Sequence, residues 1–506
     1  MMKKKIFILP AIIALLTASC NHWLDVVPKT MEPADVMFDT YQGYKDALTG
    51  CYVKMKDRSL WGEHLTITSV EFLAQHWQFG VTTSTSMVAE GTAIKQYDYA
   101  DDNVKAIFQR MYNGLYNVIV QANTIIEGMP LTGATAIIDP QARGVVEGEA
   151  FALRALCHFE ILRLFGQVPT NATLAPISLP YITTVSREPV SYLDYNQYIG
   201  TLESDLNKAA TLLGAHDPYI TYTYSQVNGS TVADEFLRYR SLRLNYWAVK
   251  GLQARFYLYT GNTTKAAEAA NEVIDASVDG KGFSMSNNAD DLSPYGGITA
   301  PYYALPGEGL FMLSNHQLRD YNPSLFCTPS SIMDLRLHLS SDRIEGTADV
   351  FGLFGEEYSA SSNNRFRGLW RQRSHGQWAN PVCFELLKYD QIDANQDLLL
   401  RKQVMPILRL SEMYLIAMET SNDMAQINEW YNTYRIARNI LPTTFTNKQE
   451  VMEMIETEYR REFFGEGQMF FYYKRNNATS MVWAERAITE ANYRIPLPTT
   501  EFQLQK

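Results

Sequence analysis

Long segments in which apolar side chains recur every three or four residues constrain the fold of this 506-residue chain more than any other feature. This spacing places the apolar side chains on one face of an α-helix, and that face must be buried against another element. The segments that show it are residues 37–57, 104–128, 141–165, 195–213, 241–259, 265–276, 408–420, 425–439 and 446–464. The sequence therefore predicts a mainly α protein.

Two pairs of these segments are predicted to form helical hairpins. One pair, residues 241–259 and 265–276, flanks Gly261-Asn262, and the other comprises residues 408–420 and 425–439. Small side chains at positions of close helix approach make both pairs resemble tetratricopeptide units. The pairs do not recur at the fixed period of about 34 residues that such repeats have. We therefore predict a tetratricopeptide-like scaffold of helical hairpins with long irregular loop insertions, and not a regular solenoid.

Three insertions separate the predicted helices and differ from them in composition. Residues 61–102, 283–310 and 352–380 are rich in Ser, Thr, Gly, Asn and aromatic residues. Loops of this length in a compact domain are usually functional or disordered. They are either recognition loops or decorations packed on the scaffold, and the sequence leaves both readings open.

The N-terminal residues 1–19 have the pattern of a secretory signal peptide. Lysines at positions 3–5 precede an apolar stretch, residues 6–16, which is too short to span a bilayer as a helix. Small residues then lead directly to Cys20, as in a bacterial lipobox, although Thr17 stands where Leu is commonest. The alternative is an ordinary signal peptide followed by a chance cysteine.

Cys20 is the predicted lipid anchor of the mature protein. Acylation with more than one chain, such as palmitate, gives durable membrane binding. We expect residues 20–506 to form a single domain, with an N-terminal part of about 20–280 and a C-terminal part of about 281–506.

Charge and motif content exclude several functional classes. The net charge is −11 and the pI is about 5.4, so there is no basic surface for nucleic acid. No cofactor motif is present. The series Asp393-x-Asn395-x-Asp397 starts like a calcium loop, but Leu398 and Val404 stand where such a loop needs Gly and Glu. We predict a polar linker there and no metal site.

Several short motifs occur in a fixed order along the chain. They are AFALRA at 150–155, FGQVP at 165–169, GLQARFYLYTG at 251–261, LRLSEMYLIA at 408–417, YRREFFGEG at 459–467, IPLPTTE at 495–501, and Cys20 followed by WLDVVP at 23–28. In number and order they resemble the SusD/RagB family of Bacteroidetes outer-membrane lipoproteins. The resemblance extends over nearly the whole mature chain.

This resemblance implies a function as well as a fold. Members are cell-surface lipoproteins of the outer membrane that cover a SusC-like TonB-dependent barrel and help to capture glycans, or sometimes peptides, for import. They are not enzymes. Two departures exist: the aspartate that many relatives carry shortly after the GEG motif is absent, and the segment after Cys20 has only one acidic residue, Asp25. Because of the second departure, the protein could be anchored either on the cell exterior or in the periplasmic leaflet of the outer membrane. We expect it on the exterior.

Charged residues within the predicted helices favour a structural interpretation. Arginines lie on otherwise apolar helices and need carboxylate partners, because an unpaired buried charge is very costly. The arginines are Arg154, Arg255, Arg435 and Arg438, and the available glutamates are Glu149, Glu412, Glu458 and Glu462. We also expect Gly465 and Gly467 to end the last long helix with positive φ, and a capping box of Thr446 and Gln449 to begin it.

The main alternative function is a helical glycoside hydrolase. Such an enzyme needs two carboxyl groups at a set separation, one of them a proton donor. Glu458, Glu462 and Glu466 are candidates, but the first two share a helical face beside Arg461, which disfavours a raised pKa. We predict a binding protein and no catalytic residue. A peptide-binding member of the same family is the second alternative.

The ligand site should combine aromatic rings with polar groups on loops. Rings stack on the C–H face of a sugar, and Asn, Arg and Asp bind its hydroxyls. Helical aromatics such as Trp247, Tyr257 and Tyr414 are assigned to the core. The candidate ligand-binding residues are Trp77, Tyr97, Asn287, Tyr295, Tyr302, Arg365, Trp370 and Trp378, with Trp77 and Tyr295 favoured. Any of these rings could instead pack in the core or contact the barrel.

Overall fold

The fold is described from a computed structural model, and helices dominate it as the sequence predicts. The described residues are 37–129, 139–227, 229–285, 304–326, 336–358, 363–374, 382–390 and 403–501. The N-terminal segment with Cys20 and the series Asp393-x-Asn395-x-Asp397, predicted to be a polar linker, lie outside them.

The helices of the described residues fall into an N-terminal and a C-terminal series. The first comprises α1 (Tyr41–Met55), α2 (Ser69–Leu73), α3 (Thr85–Lys95), α4 (Asp102–Gly128), α5 (Pro140–Phe165), α6 (Tyr195–His216), α7 (Pro218–Thr221), α8 (Tyr224–Val227), α9 (Tyr246–Tyr259) and α10 (Thr263–Val278). The second comprises α11 (Leu318–Leu325), α12 (Ser341–Glu345), α13 (Asn364–Leu369), α14 (Leu410–Thr420), α15 (Met424–Ala437), α16 (Lys448–Glu462) and α17 (Met469–Arg475).

Side-chain caps set the start of most long helices. Asp101 accepts hydrogen bonds from the first amides of α4, and Asp139 does the same before Pro140 at the start of α5. Asp194 and Gln197 form a capping box on α6. Each cap satisfies amides that have no partner within the helix, so these bounds follow from local sequence.

The start of α16 corrects one prediction. Asn447 is the cap, and its side chain accepts from the Glu450 amide at 3.1 Å. Thr446 donates through its amide and hydroxyl to the Glu450 carboxylate, each at 2.9 Å. The predicted pairing of Thr446 with Gln449 is therefore wrong, because the helix begins one residue later and Glu450 occupies the position that bonds back.

Helices that follow one another along the chain pack together and form the scaffold. The most extensive contacts join α5 with α6, α9 with α10, and α4 with α5, and α10 also packs on α14. Gly251 of α9 lies where an added Cβ would stand 3.0 Å from Leu310. A small residue is needed at this position, but the nearest neighbour is Leu310 of a strand, and Met413 of α14 follows at 3.6 Å, so the close approach is not the helix-to-helix contact that was predicted.

Short strands, which the sequence analysis did not predict, complete the architecture. β4 (Gly309–Ser314) pairs antiparallel with β8 (Val404–Arg409), and β2 (Leu179–Pro180) pairs with β3 (Tyr192–Leu193). A third sheet has the order β1-β5-β7-β6, formed by Gln78–Phe79, Leu337–Ser340, Val382–Leu386 and Trp370–Ser374. Residues 404–409 are consequently strand, and the helix predicted from 408 begins at Leu410.

One large hydrophobic cluster extends from Tyr44 to Ile495 and includes buried side chains from both series of helices. Trp247, Tyr257 and Tyr414 belong to it, as predicted. The insertion at 61–102 also packs into this cluster and contains α2 and α3, so it is not an irregular loop. Within the described residues, no helix combines the length and apolar character needed to cross a membrane.

Candidate functional site

Four of the predicted ligand-binding side chains are buried. Trp77 is 0% exposed, Tyr97 7%, Arg365 1% and Trp370 4%. The expectation that these side chains lie exposed on loops is wrong, because the segments that carry them pack into the core, and we do not retain them in the site. The remaining predicted residues lie outside the described part of the chain: Asn287, Tyr295, Tyr302 and Trp378.

Trp77 is held in the core by contacts on several sides. Its indole N–H donates to the Ile67 carbonyl at 2.6 Å. Its ring centroid lies 4.8 Å from that of Phe464, 5.5 Å from Phe326 and 6.4 Å from Trp370. A satisfied indole within an aromatic cluster is a packing residue. Trp77 and Trp370 therefore join the first insertion to the GEG motif region.

Arg365 belongs to a buried charge cluster, defined here as Lys388, Arg365, Arg409 and Arg438 with Glu308, Glu458, Glu462 and Glu466. Arg438 bonds Glu308 at 2.5 Å and Glu462 at 2.8 Å. Arg409 bonds Glu462 and Glu466, each at 2.7 Å. The cluster balances its charges, and its bonds join α13, α15, α16, β8 and the start of β4. Its role is to hold these elements together.

The cluster also sets the protonation of the glutamates considered for catalysis. Burial alone would raise the pKa of Glu462, but Arg438, Arg409 and Arg365 hold that pKa well below its usual value. Arg365 and Arg461 likewise lower the pKa of Glu458 against the effect of burial. A glycosidase acid needs a raised pKa. These two carboxylates are therefore poor proton donors.

The predicted arginine–glutamate pairing holds in part. Arg255 bonds Glu412 at 2.6 Å, and Arg438 bonds Glu462, as the residue types suggested. Arg154 instead pairs with Asp205 at 2.6 Å. Two further predicted members have other partners: Arg435 bonds Glu357, and Glu149 accepts from Arg240. Helix faces predict which residues need partners, and the tertiary fold selects the partners.

Gly465 and Gly467 have positive φ, as expected.

A cleft of about 510 Å³ opens on the surface between α4, the β2–β3 hairpin and the C-terminal segment. Its α4 wall carries Tyr112 and Tyr116, and its hairpin wall carries Tyr192. Ligand pockets in proteins typically span about 300–1,000 Å³ and combine aromatic lining with a few polar groups. This cleft meets both criteria, and we take it as the candidate functional site.

Buried hydrogen bonds from α4 and α5 hold the hairpin wall in place. Arg154 of α5 forms a bidentate pair with Asp205 and also donates to the Thr183 carbonyl at 3.2 Å. Asn123 of α4 donates to the Ile182 carbonyl at 3.1 Å. His158 lies in the same region, where burial lowers its pKa to about 3. A neutral His158 packs against Tyr181.

The third wall comes from the C-terminal motif. Tyr192 donates from its hydroxyl to Oε1 of Glu501 at 2.6 Å. Burial, together with this hydrogen bond, raises the pKa of Tyr192 and keeps the phenol neutral. Arg154 and Glu501 each belong to a sequence motif, but neither motif by itself indicates that the residue lies near a site. The two residues are far apart along the chain, so the sequence gives no signal that they lie near the same site.

Two family models match the chain. The model described as starch-binding associating with outer membrane matches residues 22–258, and the SusD family model matches residues 355–504. The chain belongs to the SusD/RagB family. Its resemblance to that family, stated above on sequence motifs, is confirmed by both matches.

Known SusD-like proteins are related to this chain at low identity. The SusD-like protein P25 of Formosa agariphila is 23% identical over 281 residues, which are 54% of this chain and 46% of that protein. The chain thus spans about half the length of this curated relative.

Solved structures of the family share the fold of this protein. A SusD superfamily protein from Bacteroides thetaiotaomicron is 21% identical with a TM-score of 0.62, covering 92% of this chain and 98% of its own. A laminarin-binding SusD-like protein has the same coverage, 17% identity and a TM-score of 0.61. The mainly α, tetratricopeptide-like fold of the SusD superfamily is confirmed.

Proposed function

We propose that this protein is a lipid-anchored outer-membrane protein that binds glycans at the cell surface and delivers them to a SusC-like TonB-dependent barrel. Membership of the SusD/RagB family carries this proposal. The described cleft supports it, since its aromatic walls and polar residues suit a sugar ligand better than an apolar one.

The anchor and the partner are parts of the same proposal. Cys20 is acylated, residues 20–506 form one mature unit, and the unit faces the exterior. Transfer across the membrane then requires a barrel, because no helix of the described residues is long and apolar enough to cross the membrane. The complex should survive mild detergent, and its interface should exceed about 1,000 Å². Recovery of the protein only as a lone monomer, in several detergents and with polysaccharide present, argues against the partnership.

Binding without turnover separates this function from the hydrolase alternative. The purified mature protein should be retarded in native gels that contain laminarin or soluble starch, and it should release no reducing sugar from them. Hydrolysis by the protein alone contradicts the proposal. Retention of peptides with no response to any polysaccharide would instead favour the peptide-binding alternative. The low pKa of Glu462 and Glu458 already opposes an acid–base role for these residues.

A further inference from the structure

The α4 wall of the cleft exposes apolar surface that the scaffold does not cover. Tyr116 is half-buried in this wall, and Val120, one turn further along α4, has 41% of its surface exposed, whereas Tyr112, whose ring centroid lies 4.7 Å from that of Tyr116, is buried. Val190, on the opposite wall, is 38% exposed. Apolar side chains that face each other across a cleft in this way form a surface suited to the C–H face of a ligand.

Polar groups around this surface have unused bonding capacity. Arg187 and Glu188 are exposed at the cleft, and across the described residues their side chains make no hydrogen bond or ion pair. Glu501 engages Tyr192 through Oε1, which leaves Oε2 able to accept.

The cleft is also rigid on the sides that carry these groups. Tyr116 donates from its hydroxyl to the Pro180 carbonyl at 2.8 Å, so one of the rings fixes the hairpin. The Val185 amide donates to Glu127 at 2.8 Å and ties the hairpin loop to α4. When the walls of a site are already fixed in the free protein, ligand binding costs less conformational entropy, because fewer side chains and loops become ordered.

We propose that this cleft is a binding subsite for a neutral oligosaccharide segment. Tyr116 and Tyr192 contact the C–H faces of the sugar, and Arg187, Glu188 and Glu501 bind its hydroxyls. One cation and two carboxylates give the cleft a local charge of −1, which disfavours uronate or sulfate groups. This inference rests on the proposed glycan-binding function and names the class of glycan and the place where it binds.

The test compares variants of the mature protein on laminarin and soluble starch by isothermal titration calorimetry. The double variant Arg187→Ala/Glu188→Ala removes two side chains that have no hydrogen-bond or ion-pair partner within the described part of the chain, so its melting temperature should match the wild type. Its affinity should fall about tenfold, since hydrogen bonds to charged groups contribute strongly to binding. Lys208→Ala, on exposed surface of α6, is the control and should bind as the wild type does.

A second pair of variants isolates the ring. Tyr116→Phe keeps the stacking surface and loses only the hydroxyl that bonds the Pro180 carbonyl, so its affinity should stay within about threefold, whereas Tyr116→Ala loses both and should lose about tenfold or more. Polygalacturonate, an anionic polysaccharide, should bind at least about tenfold more weakly than the neutral chains.

The outcomes separate this inference from the function on which it rests. If the wild type binds neither laminarin nor starch, the glycan-binding proposal and the subsite both fail. If the wild type binds and the Arg187→Ala/Glu188→Ala variant keeps its affinity, only the subsite is refuted. Preferential binding of polygalacturonate overturns the neutral class, even where the cleft variants weaken binding.

Discussion

Removing one charge from the buried charge cluster should destabilise the protein severely. Glu462 accepts hydrogen bonds from Arg438 at 2.8 Å, Arg409 at 2.7 Å and Tyr434 at 2.8 Å, and it is 2% exposed. Glu462→Gln preserves the shape of the side chain but removes its charge. The balanced cluster is then left with one excess positive charge that water does not reach.

The expected loss is about 3–5 kcal/mol, the usual cost of removing one partner from a buried ion pair. Total stabilities are about 5–15 kcal/mol, so the variant should unfold at much lower denaturant. The measurement is urea unfolding followed by circular dichroism, with the slope checked for constancy. Glu453→Gln is the matched control. It lies on the same helix but is exposed, and its contact with Gln449 one turn earlier is worth about 0.2–0.5 kcal/mol.

The pH dependence gives a second readout of the same interaction. The arginines hold the pKa of Glu462 below its unfolded value of about 4.3, despite burial. Its contribution to stability is therefore complete above about pH 4.3 and is lost as the pH falls through the lower folded value. The difference in the free energy of unfolding between the wild type and Glu462→Gln should be constant near neutral pH and should become smaller in acid. A difference below about 1 kcal/mol at neutral pH would refute the reasoning.

Three further predictions follow from particular residues. Cys20→Ala should move the protein from the membrane fraction to the soluble fraction, and retention of the variant with the outer membrane would contradict the anchor. Trp77→Ala should cost about 3–5 kcal/mol in chemical unfolding, because the indole is fully buried; an unchanged melting temperature would place the ring at the surface instead. Asn447→Ala should lower the free energy of unfolding by about 1 kcal/mol through loss of the α16 cap, whereas Gln449→Ala should leave it almost unchanged. If urea unfolding shows the larger loss for Gln449→Ala, the cap predicted from the sequence is the correct one.

The sequence by itself determined the helical scaffold. The predicted segment at residues 141–165 is observed as Pro140–Phe165, and that at 195–213 as Tyr195–His216. Such accuracy is possible because apolar period, caps and helix-ending glycines act within a few residues of one another. The sequence also predicted that buried ion pairs are needed, because an arginine on an apolar helix face requires a carboxylate partner.

Only the tertiary structure decided which side chains are exposed and which meet. Trp77 lies in a polar, aromatic-rich segment that reads as a loop, but contacts with Phe326 and Phe464 bury it. The cleft joins Tyr116, Tyr192 and Glu501, which come from separate parts of the chain. Burial and site geometry depend on contacts between distant segments, and a local pattern carries no information about them.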